Sequence, residues 1–193
     1  VVFVLALSSL ALYSCGNKKP TIGIIQFGSH ASLNNCYDGV IAGLEESGIK
    51  LDDYNIELVN SNFDSQLSQT QANSFVNSKA KVIIAIATPS AVAAATASDG
   101  EIPVVYCAIG SVMNNYKNIT GSSDIPNFDK QLEVVTGVMG KSDLKIGVLF
   151  STEESSSPIQ VANLKKAAEK YDGMEILDSA VADINTIDAK VNE

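Results

Sequence analysis

The chain has 193 residues, 46% hydrophobic and 18% charged, with a net charge of −9 at pH 7. That length suits one full α/β domain and part of a second. Its 13 Lys and Arg form no basic cluster, which argues against a nucleic-acid partner, since such binding needs clustered cations to displace phosphate counterions.

An apolar run, Val1 to Leu12, leads into Tyr13-Ser14-Cys15-Gly16-Asn17-Lys18-Lys19. It reads as the end of a secretory apolar region before small residues and a basic spacer. It is too short for a transmembrane helix, which takes roughly 20 apolar residues. The segment resembles a bacterial lipobox led by Leu12. The resemblance implies that residues 1–14 are a signal peptide and that Cys15 is lipidated on its sulfur as the mature N-terminus. The protein is then expected outside the cytoplasm, anchored to a bacterial membrane, with residues 15–20 as linker. The start at Val1 and the stop at Glu193 suggest a fragment of a longer gene product.

From Thr21 onward, strand and helix alternate. Residues 21–27 form a short apolar run between Pro20 and Gly28, a buried strand. Leu33, Cys36, Tyr37, Val40, Ile41 and Leu44 recur with helical period over 32–47, with Gly48 as stop signal. A strand is expected at 54–59 and a helix at 66–77 with Leu67, Phe75 and Val76 inward. Residues 82–87 are too apolar for an exposed sheet and belong to a parallel strand covered on both faces. Thr88-Pro89-Ser90 then opens an Ala-rich helix over 91–97, and 102–108 is a fourth strand. The pattern predicts a doubly wound parallel sheet. Residues 114–127 are polar and aperiodic, and 119–127 read as a crossing to a second α/β unit. There a helix from Phe128, a strand at 145–150, a helix capped by Ser157 with Pro158 behind it, a strand at 174–181 and a last helix capped by Asn185 are expected. The expected domains are 21–120, a hinge crossing at 121–127, and a partial second domain at 128–193.

Cys36 falls on the apolar face of the first helix and Cys107 in the fourth strand. Their spacing matches no metal motif. Two buried thiols are expected, with a disulfide as the alternative.

In open parallel sheets, ligands bind beyond the carboxyl ends of the strands. That rule selects the loops 28–32, 61–65, 88–90, 108–112 and 151–157, rich in Ser, Thr, Asn and Gly. They hold His30 and the carboxylates Asp64, Glu153 and Glu154. They contain no nucleophile elbow, phosphate loop or dinucleotide fingerprint, so no enzyme, cofactor or metal site is expected. His30 reads either as a loop residue bonding a neighbour or as a ligand contact. Thr88 to Ser90 joins a buried strand to a helix N-terminus, where free N–H groups and the dipole attract an anion. Ser90 could be a plain cap or also offer its hydroxyl to a ligand. Ser155-Ser156-Ser157 stands at the corresponding place in the second unit.

Ile22-Gly23-Ile24-Ile25-Gln26 with His30, Leu33, Gly39 and Gly43-Leu44; Ala85-Ile86-Ala87-Thr88-Pro89-Ser90-Ala91; Ile102-Pro103-Val104-Val105; Asn118-Ile119-Thr120-Gly121; and Ile146-Gly147-Val148-Leu149 with Glu154 and Ser155 occur in that order. Together they resemble the ABC-transporter substrate-binding lipoproteins of the TrpX type. The resemblance implies a two-domain, type I periplasmic-binding-protein fold, here with the first domain complete and the second truncated. It implies capture of a small amino acid-like, aromatic ligand for an ABC permease in the membrane. From the loop positions, the helix start and the resemblance together, ligand contact is expected at His30, Ser32, Phe63, Thr88, Ser90, Gly110, Glu154 and Ser155. The chain departs from the family at Ile109-Gly110-Ser111-Val112, where an Asp-Pro pair is usual, and at Ser155-Ser156, where Asn usually precedes Ser. A receptor's sensing lobe, or an enzyme on the same fold, is the alternative use of such an architecture.

Overall fold

The computed structural model describes residues 18–111, 113–152, 154, 156–181 and 187–191. The lipobox with Cys15, the expected cap Asn185 and the expected ligand contact Ser155 lie outside the described residues.

Strands β1 (Thr21–Gln26), β2 (Asn55–Asn60), β3 (Val82–Ile86), β4 (Val104–Ile109) and β5 (Ile119–Ser123) form one sheet in the order β2-β1-β3-β4-β5. All four pairings are parallel. The alternation of side chains sorts the apolar residues onto two faces. Ile22, Ile24, Ile84 and Ile86 meet the inward stripe of α1 (Ala31–Glu46) on one side. Ile25, Ile83 and Ala85 meet α2 (Ser65–Asn77) and α3 (Thr88–Ser98) on the other, around Phe75, Ala91 and Ala94. This is the doubly wound sheet that the apolar runs predict, and β1 and β3, sandwiched between both layers, are its most buried strands.

A fifth strand was not anticipated. β5 takes in Gly121 to Ser123, residues that the sequence reading gave to the crossing. It is a polar, largely exposed edge strand, so no hydrophobic alternation announced it. Gly121 admits it, because a Cβ there would collide with the carbonyl oxygen of Tyr106 and with its ring. The register of β4 against β5 shifts between Tyr106 and Ile109, around Ala108 at φ 54°.

Residues 124–127 lead to a second parallel pair, β6 (Lys145–Ser151) with β7 (Glu175–Val181). Helices α4 (Phe128–Met139) and α5 (Ser157–Ala168) pack on it around Leu132, Ala167, Ala168, Ile146 and Ile176. A short helix α6 (Ile187–Val191) follows. Among the described residues no helix is long and apolar enough to cross a membrane.

Cys36 and Cys107 are both free thiols. They are only half-buried rather than buried as expected, packed against the α1-facing isoleucines. Burial, and then the neighbouring Cys36 thiol, push Cys107 up to a pKa of about 11.

Candidate functional site

The strand order places its switch point between β1 and β3, whose carboxyl ends diverge toward helices on opposite faces. A cavity of about 560 Å³ opens there, between the two sheets. Phe27, His30, Ser32 and Leu33 come from the end of β1 and the start of α1; Phe63 follows β2; Ala87 and Thr88 follow β3; Ala108 and Gly110 follow β4. Ser151, Glu154, Ser156 and Gln160 face them from the second unit, with Asp124 from the crossing. A larger hollow of about 760 Å³ lies between residues 125–129 and α5, away from these strand ends, with the Lys170–Asp129 ion pair on its wall.

Backbone strain gathers at the cavity. Phe63, Ala87 and Ala108 all line it, and all have positive φ, at 62°, 80° and 54°. Each such non-glycine residue costs of order 1–3 kcal/mol and persists where the surroundings over-determine it, a pattern that concentrates at ligand sites.

His30 does two jobs. It is the N-cap of α1, its Nδ1 accepting from the Ser32 N–H at 3.3 Å. With Nδ1 accepting, the neutral ring carries its proton on Nε2. The same residue lines the cavity. Thr88 is the first helical residue of α3, and its Oγ1 accepts from the Gly110 N–H at 3.3 Å.

Ser90 corrects the sequence reading twice. The N-cap of α3 is Ala87, not Ser90, so the helix begins three residues earlier than expected and Ser90 lies inside its first turn. The Ser90 hydroxyl is fully buried, without a hydrogen-bond partner, and does not line the cavity. Pro89 has no N–H, so the helix start presents the N–H groups of Thr88 and Ser90. The second cap also moves: Ser156, not Ser157, precedes α5. Its N–H and Oγ both donate to Glu154 Oε1, at 3.1 and 3.0 Å, and the side chain is 3% exposed.

Gly110 is where the two units touch. A Cβ on it would collide with Gln160 Nε2 and Ser156 Oγ. Of the expected contacts, His30, Ser32, Phe63, Thr88, Gly110 and Glu154 are therefore brought together around one cavity. Sequence reasoning missed Phe27, Leu33, Ala87, Ala108, Asp124, Ser151, Ser156 and Gln160. The strand-end rule had selected the loops of Ala108, Ser151 and Ser156; Phe27, Leu33, Ala87 and Gln160 fall in the strands and helices that flank such loops, and Asp124 sat where only a linker was expected.

Among the described residues the lining carries two carboxylates, Asp124 and Glu154, and no Lys or Arg. The start of α3 at Thr88 lines the same cavity, and a helix N-terminus favours negative charge. Phe27 and Phe63 meet edge to face, ring centroids 5.7 Å apart at 87°, and form an apolar wall with Leu33. Such a cavity can hold a small molecule with separated positive and negative groups and a flat apolar part.

A family model described as ABC transporter substrate binding protein matches residues 21–193. A curated tyrosine-binding protein of Clostridioides difficile strain R20291 is 34% identical over 185 residues, covering 91% of this chain. Among solved structures, the ABC domain of Streptococcus pneumoniae in complex with L-Trp superposes with a TM-score of 0.80 at 32% identity over 90% of this chain. The ligand-free, open structure of a Clostridium difficile substrate-binding protein with adhesive properties superposes at 0.64, with 29% identity over 90% of this chain. The chain spans 53% of the curated relative and 61% of each of these two structures.

Proposed function

The chain belongs to the ABC transporter substrate-binding protein family, and from that premise we propose that it captures an amino acid with an aromatic side chain, outside the cytoplasm, for an ABC permease in the membrane. The observation that carries this reading is the polarity of the cavity. The helix start and hydroxyl of Thr88, the carboxylates of Asp124 and Glu154, and the aromatic pair Phe27 and Phe63 all line one cavity.

The ligand carboxylate is held by Thr88 Oγ1 and by the Thr88 N–H at the helix start. Ser90 lies behind the cavity wall, its hydroxyl buried and outside the lining. The ammonium pairs with Asp124 and Glu154, the second already oriented by Ser156. The side chain lies against Phe27, Leu33 and Phe63, with His30 and Ser32 at its edge. Binding draws residues 21–123 and the unit from Phe128 onward together about the crossing, so that the permease meets a closed form. The contact of Gly110 with Ser156 and Gln160 supports such closure. So does the better superposition on the tryptophan complex than on the open relative at near-equal identity. Nothing in this scheme turns a substrate over; it is a binding function. Cys15 carries the lipid that keeps the protein at the membrane, and residues 15–20 tether it.

The test is a thermal-shift screen of the protein against the twenty amino acids and a panel of sugars. Tryptophan, tyrosine or phenylalanine should raise the melting temperature, because a ligand that binds only the folded state stabilises it in proportion to RT ln(1 + [L]/Kd). A shift with sugars alone would refute the amino-acid reading.

A further inference from the structure

We propose that Gly28 sets the selectivity of the cleft for flat side chains by serving as the seat on which the Phe63 ring lies; this rests on the reading of the cleft as an amino-acid site. A Cβ built on Gly28 would collide with three atoms of the Phe63 ring. Gly28 is not among the positive-φ glycines, so the position needs glycine for space and not for backbone freedom.

Both halves of the contact are fixed. Gln26, 3% exposed, donates its Nε2 to the Gly28 carbonyl and to Asn34 Oδ1, each at 2.8 Å. The Phe63 N–H donates to the Phe27 carbonyl at 2.7 Å, and the Asn62 N–H to Asn60 Oδ1 at 2.8 Å. Asn62 and Phe63 are both left-handed, at φ 50° and 62°. Asparagine accepts that region readily, whereas a bulky aromatic there is an outlier. The backbone therefore has no slack, and a methyl group at position 28 can be relieved only by swinging the ring. Phe63 is 55% exposed, lines the cavity and is braced from behind by Phe27. Moving it removes one wall from a flat ligand side chain and leaves the carboxylate and ammonium contacts untouched.

The protein as its gene encodes it, with the variants Gly28→Ala and Phe63→Leu and the double variant, is titrated calorimetrically with L-tryptophan, L-tyrosine, L-leucine and L-alanine. Gly28→Ala should weaken tryptophan and tyrosine about tenfold, the upper range of an aromatic contact, while L-alanine changes less than about twofold. Phe63→Leu should do the same, and Gly28→Ala should add nothing in its background. Proton spectra give a readout that needs no ligand: the Gly28 Hα resonances, displaced by the ring current, should move toward ordinary values in Phe63→Leu. Equal weakening of all four ligands, unchanged aromatic affinity, or Gly28 Hα shifts indifferent to Phe63→Leu would overturn the proposal. If Gly28→Ala does not fold, Phe63→Leu decides both halves alone. A wild-type protein that binds none of the four refutes the functional reading and the selectivity with it, while the Hα shifts still decide the seat.

Discussion

Ala87 stands at φ 80° and ψ 156°, a region that glycine occupies freely and alanine does not, and it begins α3 from that posture. The strain aims the helix start at the cavity. Ala87→Gly should relieve it, against a smaller entropic cost in the unfolded chain, and raise stability by about 1 kcal/mol. A melting temperature higher by about 2–4 °C is the expected outcome. Thr88→Val keeps the shape of the side chain and removes Oγ1. It should weaken an amino-acid ligand by about 1.5–3 kcal/mol, the worth of a hydrogen bond to a charged group, in calorimetric titration. Cys107 sets a pH limit of its own. Its folded pKa of about 11 lies above the ordinary 9.0, so the unfolded chain ionises first. The contribution of Cys107 to stability is thus intact below pH 9 and falls as pH rises from 9 to 11. Melting curves across that window should slope downward in the wild type and less so in Cys107→Ala.

At the scale of elements, Gly121 decides whether β5 can lie beside β4. Gly121→Val would push a side chain into the Tyr106 carbonyl and ring, and should cost about 1–3 kcal/mol, read as a lower denaturation midpoint. Why the sequence announced some elements and not others follows from what each buries. β1 and β3 are covered on both faces, so their isoleucine-rich runs were legible. α1, α2 and α4 showed their apolar stripes, and Gly48 and Gly140 closed two of them in the left-handed conformation. β5 buries almost nothing and left no pattern. The start of α3 was misplaced because a Ser after a Pro looks like a cap, whereas the chain uses a strained alanine that composition cannot reveal. At α5, Ser156 and Ser157 offer the same chemistry one residue apart, and the bond to Glu154 selects between their roles. The cleft was legible as a set of loops, through the strand-end rule. Its inner wall was not, since Phe27, Ala87 and Ala108 enter it through backbone geometry rather than through a recognisable chemical group.

The molecule as a whole presents two sheets joined at residues 124–127, with a cavity between them and Gly110 held against Ser156 and Gln160 across it. Asp124 sits at that joint and also lines the cavity, so a bound ammonium would engage the crossing itself. The proposed tether belongs to this scale as well. Labelled palmitate should enter the protein through Cys15 and be lost in Cys15→Ser; equal labelling of both would remove the membrane anchor from the account. The central claim, that the cleft takes an amino acid with a flat apolar side chain, is met most directly by calorimetry of the protein with tryptophan, tyrosine, phenylalanine, leucine and a sugar. The account predicts one-site binding of the aromatic amino acids, tighter than leucine, and no heat from the sugar; binding of the sugar alone would contradict it.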